Sequence, residues 1–386
     1  MNKRTTLKWM LGLAVVATLV GGIGLVQKFV TGERLAGYGS YVPWGLWVAL
    51  YFHGVGIAGG AFAIGVVGYL LGVAGFREHL RVTIWVSAVS LVMGLFSIWL
   101  DLGQPWRMYR IFTDPSFTSM MAFNAWMYMF FLTLMAICFV LSVRKDSPTA
   151  LHDRSGWLVP LLMVGGLIGI AFPSQSGAFF GVVDAKPYWH TAMLPIMFLT
   201  SAIAAGGAVL LLVFTFVLPE NTPASAPPLA MLRRVTLGAV LFYLGAEFAE
   251  LSIAYWSPVS AHRDAFNLVL FGPFWWVFWV VHLGGAAVGL ALLSRQGSLP
   301  VVGTGAFVVA LTFVSSRLNI LIPGQAVEQL KGLREAFMHP RLEHYYEATQ
   351  NEYLVALFIG GISVLLVAVG IKLIRQLVDS REATVP

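Results

Sequence analysis

The sequence contains almost no cysteine and little charge. Its single cysteine, Cys138, excludes an internal disulfide, and one thiol cannot build a cysteine-ligated iron–sulfur cluster or a structural zinc site. Charged residues make up 11% and hydrophobic residues 58% of the 386 positions, whereas soluble domains average about 25% charged residues. A soluble globular enzyme is therefore excluded, and we expect any metal redox centre to belong to a partner protein.

The common catalytic motifs are missing as well. The sequence has no P-loop, Rossmann glycine pattern, HExxH or GxSxG motif in a convincing context. The net charge is +6, but the Lys and Arg residues are scattered between apolar segments and form no basic stripe of the kind that binds nucleic acid. We therefore expect a chain that catalyses no reaction alone, holds no metal and binds no nucleic acid.

Long apolar stretches recur along the whole chain. Stretches of about 18 or more apolar residues are long enough to cross a bilayer as a helix, so we predict an all-α polytopic membrane protein with about ten transmembrane helices. The predicted spans are 9–27, 43–73, 80–100, 119–142, 156–173, 189–217, 230–256, 270–293, 299–321 and 352–374.

A weak internal repeat suggests how these spans are grouped. Pro43-Trp44 followed by Ala58-Gly59-Gly60 recurs as Pro187-Tyr188-Trp189 followed by Ala205-Gly206-Gly207. Such a repeat is compatible with two similar four-helix bundles flanked by one extra helix at each end. Within one membrane domain, 1–386, the predicted parts are a first unit at 43–173, a second at 189–321, a periplasmic loop at 322–351, and extra helices at 9–27 and 352–374.

Charge and loop length predict the orientation. Lys and Arg residues are more numerous on the side of the two termini, which predicts that both termini are cytoplasmic in a bacterial inner membrane. The opposite side carries the longer segments 101–118 and 318–351, and loops of that length are more often functional than idle. We predict that this side docks a partner through Arg107, Arg110 and Arg317; the alternative is that these loops are merely solvated connections.

Ionisable side chains within spans are costly, so each one is a functional hypothesis. Glu247 and Glu250 are three residues apart and share a helix face, which lets one carboxyl hold a proton while its neighbour is ionised. Together with His282 they form a predicted proton relay; the alternative is that they are protonated and only hold helices together. His53 is a candidate donor to a quinone carbonyl, a haem ligand or a core histidine, and a haem would need His282 as its second ligand.

Several short motifs, in order, resemble the NrfD/PsrC family of quinone-reactive membrane subunits. The extended tail of the chain resembles the longer branch of that family, which includes the membrane subunit of hydrogenase 2. The motifs are Tyr41-Val42-Pro43-Trp44-Gly45, Gly56-Ile57-Ala58-Gly59-Gly60, Asp101-Leu102-Gly103-Gln104-Pro105, Ala185-Lys186-Pro187-Tyr188-Trp189, Ala205-Gly206-Gly207, and, in the tail, Arg317-Leu318-Asn319 and Pro323-Gly324-Gln325.

The resemblance implies a subunit that binds menaquinone or ubiquinone near the periplasmic face. It implies electron exchange with a periplasmic four-cluster iron–sulfur subunit, which serves a molybdopterin enzyme, a hydrogenase or a multihaem cytochrome. Members of the family are generally free of haem, and some are proposed to couple quinone chemistry to proton movement. The single cysteine and the few histidines independently predict that this chain holds neither haem nor an iron–sulfur cluster.

The predicted quinone site departs from the family pattern at two positions. Tyr51 stands where the family has a histidine, and Phe172-Pro173 stands where it has Tyr-Pro. Either the quinone ring is held by other residues of the first unit, or the quinone lies elsewhere. The candidate quinone residues are Tyr51, His53, Asp101, Asn124, Ser174 and Gln175. The competing functions are a proton-coupled secondary transporter and a purely structural membrane anchor.

Overall fold

A computed structural model describes residues 3–143, 156–258, 260–295, 297–330, 332–336, 339 and 342–382. Every regular element in these ranges is helical, and ten of the helices are long and apolar enough to cross a membrane, which confirms the predicted fold class. The ten spans are α1 Lys3–Thr31, α2 Leu46–Leu70, α3 Leu80–Asp101, α4 Met120–Val143, α5 Leu158–Gly181, α6 Met193–Val217, α7 Pro227–Trp256, α8 Val277–Ser294, α9 Leu299–Ala326 and α10 Gln350–Glu382.

The segments between the spans are longer on one side of the molecule. This side, called the long-loop side, consists of residues 32–45, 102–119, 182–192, 257–276 and 327–349; the other is called the terminal side. The long-loop side carries a twelve-residue amphipathic helix, Ser260–Phe271, whose buried face includes Phe266 and Val269. Shorter helices there are Gly32–Leu35, Pro105–Arg107, Arg110–Thr113 and Leu333–Ala336.

Most predicted span boundaries differ from the structure by a few residues, and the largest differences are at the first, fifth and tenth spans, which are Lys3–Thr31, Leu158–Gly181 and Gln350–Glu382. Two further differences have a clear physical reason. The eighth span begins at Val277 and not at 270, because Gly272 and Pro273 separate it from the amphipathic helix, and proline cannot donate the backbone hydrogen bond that would continue that helix. The ninth span continues to Ala326, past its predicted end at 321. Its polar residues suggested a loop, but they face the protein interior and not lipid.

The repeated Ala-Gly-Gly motifs are the place where α2 and α6 cross. A Cβ added at Gly60 would lie 2.0 Å from the carbonyl oxygen of Ala202, and one added at Gly206 would lie 2.3 Å from the backbone nitrogen of Ala61. Two helices approach this closely only when small residues face each other. The repeat thus has a packing role, because it joins the helices that open the two predicted units, while the grouping into two bundles remains a prediction.

The two extra helices, α1 and α10, pair with each other. Asn351 donates a hydrogen bond to the carbonyl of Gly24 at 2.9 Å, and a Cβ added at Gly21 would lie 2.3 Å from the backbone nitrogen of Phe358. α10 also packs on α3, where the Trp85 indole donates to the carbonyl of Leu366 at 3.0 Å. The helices predicted to flank the two ends therefore form one pair beside the first unit.

Candidate functional site

The second unit contains two adjoining breaks in regular α-helix. α8 begins as a π-helix, Val277–Gly284, and α9 is interrupted at Phe313. The helices touch closely here, since a Cβ added at Gly285 would lie 2.5 Å from the side chain of Thr312. π-helical turns are rare and occur frequently at functional sites. The two breaks, in α8 and α9, place His282 and Ser315 opposite each other in the protein interior.

The imidazole of His282 lies between a carboxyl group and a hydroxyl group, with one ring nitrogen in hydrogen-bond contact with each. The imidazole is completely buried; its Nε2 lies 3.0 Å from Oε2 of Glu247 and its Nδ1 lies 3.0 Å from Oγ of Ser315. Ser315 donates its own proton to the carbonyl of Thr312, so its oxygen accepts the Nδ1–H of the imidazole. One further proton is then shared between Nε2 and the carboxyl of Glu247, as an acid beside a neutral base or as an ion pair.

Glu250 lies one helical turn nearer to the long-loop side. Its Oε1 accepts a hydrogen bond from Thr191 at 2.8 Å, and its Oε2 lies 3.8 Å from Nε2 of His262 on the amphipathic helix. Burial lowers the pKa of His262, and the negative charge of Glu250 partly opposes this. Glu250 and Glu247 line one cavity of about 20 Å³, called the small cavity, which is large enough for one water molecule. The structure thus brings the three predicted relay residues together.

Tyr188 completes the polar wall of the small cavity, although no chemical role was predicted for it from the sequence. Its hydroxyl donates to the carbonyl of Asn319 at 2.8 Å. Burial raises its pKa above the usual value. Tyr188 belongs to a quoted family motif, so the signal was present, but only the fold shows that this loop residue faces the carboxyl groups.

The first unit contains a separate hydrogen-bond chain. The hydroxyl of Tyr51 donates to that of Tyr128 at 2.9 Å, and Tyr128 and Ser176 are 3.0 Å apart. Tyr128 lies one turn after Asn124 on α4, and among the described residues Oδ1 of Asn124 has no hydrogen-bond partner although it is buried. Sequence reasoning missed Tyr128 and Ser176, because a tyrosine or serine within an apolar run carries no charge signal.

The other candidate quinone residues of the first unit have different neighbours. Nε2 of His53 donates to the backbone carbonyl of Ala310 on α9 at 2.9 Å, so it is turned toward the second unit while Tyr51 is bonded to α4. Asp101 is the last residue of α3, whereas Ser174 and Gln175 lie within α5, and all three side chains are partly buried. A haem held between His53 and His282 would have to break the hydrogen bonds that their ring nitrogens make.

Arg317 lies inside the protein and not on its surface. It is 3% exposed, its Nη2 donates to the carbonyl of Phe198 at 3.2 Å, and its guanidinium lies 3.9 Å from the centre of the Phe198 ring. Arg317 therefore cannot contact a docked partner, which corrects the role predicted for it. Arg107 and Arg110 are exposed on the long-loop side, as docking requires.

A second, larger cavity of about 180 Å³ opens on the long-loop side and is called the apolar cavity. Its roof is the segment around Tyr346, whose hydroxyl accepts a hydrogen bond from the backbone of Leu46 and donates one to Glu352, both at 2.7 Å. Asn319 lines both cavities and forms part of the wall between them. The lining of the apolar cavity includes Trp276, Asn319, Ala326, Tyr345, Tyr346 and Tyr353.

Metal binding has no obvious location in the described ranges. There, no group of three or more His, Cys, Asp and Glu residues is arranged to hold a metal ion.

Comparison with known proteins places the chain in a family. The chain is 25% identical to a selenate reductase subunit of Mesobacillus selenatarsenatis, over 92% of this chain and 91% of that protein. It is 24% identical to the Hdr-like menaquinol oxidoreductase integral membrane subunit of Archaeoglobus fulgidus, over 94% and 92%. It is also 24% identical to the probable Ni/Fe-hydrogenase 2 b-type cytochrome subunit of Escherichia coli, over 69% and 67%. Residues 35–328 match the family described as Polysulphide reductase, NrfD, and the chain belongs to this family.

Proposed function

We propose that the chain is the quinone-reactive membrane subunit of a respiratory oxidoreductase. It binds menaquinone or ubiquinone in the half of the membrane nearer to the long-loop side, which is the periplasmic face of a bacterial inner membrane, and both termini are cytoplasmic. The observation that carries the proposal is the buried proton-sharing pair of Glu247 and His282, which continues through the small cavity to Glu250. The names of relatives, such as a menaquinol oxidoreductase subunit, support it.

Quinone chemistry requires both proton and electron partners. Oxidation of a quinol breaks two O–H bonds and releases two protons and two electrons; reduction reverses each step. Glu247, Glu250 and His282 serve as the proton-exchanging groups of this chain, since positioned carboxyl and imidazole groups are the usual acids and bases. The electrons pass to or from an iron–sulfur partner subunit.

The partner docks on the long-loop side. The segment after α3 exposes Trp106, Tyr109 and Phe117, and Arg107 and Arg110 lie among them. Aromatic residues and arginine are enriched in protein interfaces. We assign this surface to a periplasmic four-cluster iron–sulfur subunit that links the chain to a molybdopterin enzyme, a hydrogenase or a multihaem cytochrome.

Binding of a quinol analogue to the purified chain tests this function. The full chain is placed in lipid nanodiscs and titrated with a fluorescent hydroxyquinoline analogue of quinol, while the visible spectrum of the same sample is recorded. We expect saturable quenching and no haem Soret band. A folded, monodisperse chain that shows no saturable binding would identify a structural anchor, and proton-coupled solute flux into proteoliposomes would identify a transporter.

A further inference from the structure

The amphipathic helix covers the small cavity on the long-loop side. Phe266 and Val269 of this helix line the cavity, and His262 lies one turn before Phe266, beside Glu250. We propose that His262 is the group through which Glu250 exchanges its proton with the water on the long-loop side. This inference rests on the proposed function, because it assigns the outer end of the proton relay.

The imidazole of His262 reaches from the carboxyl group toward the surface. Its Nε2 is buried, has no hydrogen-bond partner among the described residues and lies 3.8 Å from Oε2 of Glu250. The side chain as a whole is 12% exposed, so its accessible part lies away from Nε2. The rings of Phe266 and Tyr188 pack near the imidazole, with their centres 5.6 Å and 6.1 Å from its own. One edge of the imidazole thus faces the buried carboxyl group while another part of the side chain meets solvent.

The distance between Glu250 and His262 permits gated transfer of a proton. A separation of 3.8 Å is longer than a hydrogen bond, so transfer needs a small movement of the imidazole or one bridging water. Burial lowers the pKa of His262, and the negative charge of Glu250 partly opposes this. Its charged neighbours on the same helix, Arg263 and Asp264, are exposed. The imidazole is therefore mostly neutral at pH 7 and carries a proton only in passing.

The other polar groups beside Glu250 are fixed by hydrogen bonds of their own. The hydroxyl of Thr191 donates to Glu250 and accepts a backbone N–H two residues later in the chain. The hydroxyl of Tyr188 donates to the carbonyl of Asn319. Either hydroxyl would have to give up these bonds to lead a proton outward. Nε2 of His262 is free to accept one.

The proposed transfer has two balanced steps. In the tautomer with its proton on Nδ1, the imidazole of His262 accepts the proton of Glu250 on Nε2, which leaves a carboxylate and an imidazolium. Nδ1 then releases its proton to water, which leaves a neutral imidazole and a net loss of one proton from Glu250. Glu247, which lines the same small cavity, restores the proton of Glu250. Proton uptake reverses each step.

Deuterium exchange of the buried carboxyl groups tests the role of His262. The full chain in lipid nanodiscs is equilibrated on an infrared crystal and the buffer is changed to heavy water, which shifts the carbonyl stretch of a protonated carboxyl. The band is assigned by its loss in Glu247→Gln or Glu250→Gln. We expect His262→Gln to slow the shift about a hundredfold, the lower end of what a positioned proton-transfer group contributes. His190→Gln, at an exposed histidine of the same side, is the matched control and should not slow it.

Added imidazole separates proton transfer from packing. We expect His262→Ala to exchange slowly and free imidazole in the buffer to restore its rate, because the small base enters the space that the side chain leaves. Exchange in His262→Ala that is faster than in the wild type would overturn the inference, since the side chain would then only exclude water. Slow exchange in His262→Ala that imidazole does not restore would also overturn it.

Three further outcomes would overturn the inference. They are a wild-type rate in His262→Gln, an equal slowing by His190→Gln, and a wild-type chain without a protonated carboxyl band. Each of them leaves the proposed function intact, because binding of the fluorescent hydroxyquinoline by the wild-type chain is measured separately. Absence of that binding would refute the proposed function, whatever the rate of carboxyl exchange.

Discussion

Replacing Glu247 by glutamine tests whether the shared proton belongs to a neutral hydrogen bond. Nε2 of the buried His282 lies 3.0 Å from the carboxyl group, and Nδ1 already donates to Ser315. A glutamine amide has nearly the same shape and can donate to Nε2 in place of a protonated carboxyl. Because the interior of a membrane protein disfavours charges, we expect the carboxyl of Glu247 to hold the proton and Glu247→Gln to preserve the contact.

The structure gives different magnitudes for the two protonation states. For a neutral pair, Glu247→Gln should lower the free energy of unfolding by less than about 1 kcal/mol, whereas Glu247→Ala leaves a buried imidazole nitrogen unpaired at about 1–3 kcal/mol. For an ion pair, both variants strand a buried charge, which costs about 3–5 kcal/mol. The loss of unfolding free energy in Glu247→Gln, compared with the loss in Glu247→Ala, therefore identifies whether Glu247 and His282 form a neutral hydrogen bond or an ion pair.

Unfolding in mixed micelles of detergent and dodecyl sulfate measures these losses. Glu220→Gln, at an exposed position, is the matched control and should have no effect. Infrared spectroscopy should show the carbonyl stretch of a buried protonated carboxyl in the wild type and its loss in Glu247→Gln. The reasoning is refuted if Glu247→Gln destabilises the chain as strongly as Glu247→Ala.

Three further perturbations test other parts of the molecule. Gly60→Ala places a Cβ 2.0 Å from a backbone oxygen and should cost about 1–3 kcal/mol or more in the same unfolding assay, whereas Gly245→Ala, which meets nothing within 4 Å, should be neutral or stabilising. Burial lowers the pKa of His262 below 6.5, so the unfolded chain binds the proton more readily and stability should fall as pH drops below 6.5; a pH titration should show a smaller fall in His262→Gln, and an unchanged fall would contradict this. Glu352→Ala removes the acceptor for Gly37 and Tyr346 and should loosen residues 344–349, seen as faster amide hydrogen exchange there, while unchanged exchange would show that other contacts hold the roof.

The spans and the proximity of three ionisable residues could be predicted from the sequence because both depend on local composition; the relay itself stays a prediction. Ten apolar runs require ten helices, and a carboxyl or imidazole within such a run stands out by its cost. Glu247, Glu250 and His282 were found in this way. The end of α9 was misjudged by the same logic, because Arg317 and Asn319 resemble a loop until their burial between helices is known.

The cavities could not be predicted, because they are formed by segments far apart in sequence. The apolar cavity exists because the segment around Tyr346 folds back over α8 and α9 and is fixed there by Leu46 and Glu352. No periodicity or motif encodes that contact. The Tyr51–Tyr128–Ser176 chain was missed for a related reason, since it depends on which faces of three helices meet.

The pairing of α1 with α10 has a consequence for how the protein is made. α1 enters the membrane long before α10 during synthesis, because the residues that pack against its glycines, such as Leu354 and Phe358, follow it in the chain by eight further spans. A nascent chain must therefore keep α1 in lipid without its partner until nearly all other spans have been inserted. Ribosome stalling or truncation before α10 would leave α1 open to quality-control proteases, because only chains translated through α10 can form the α1–α10 pair.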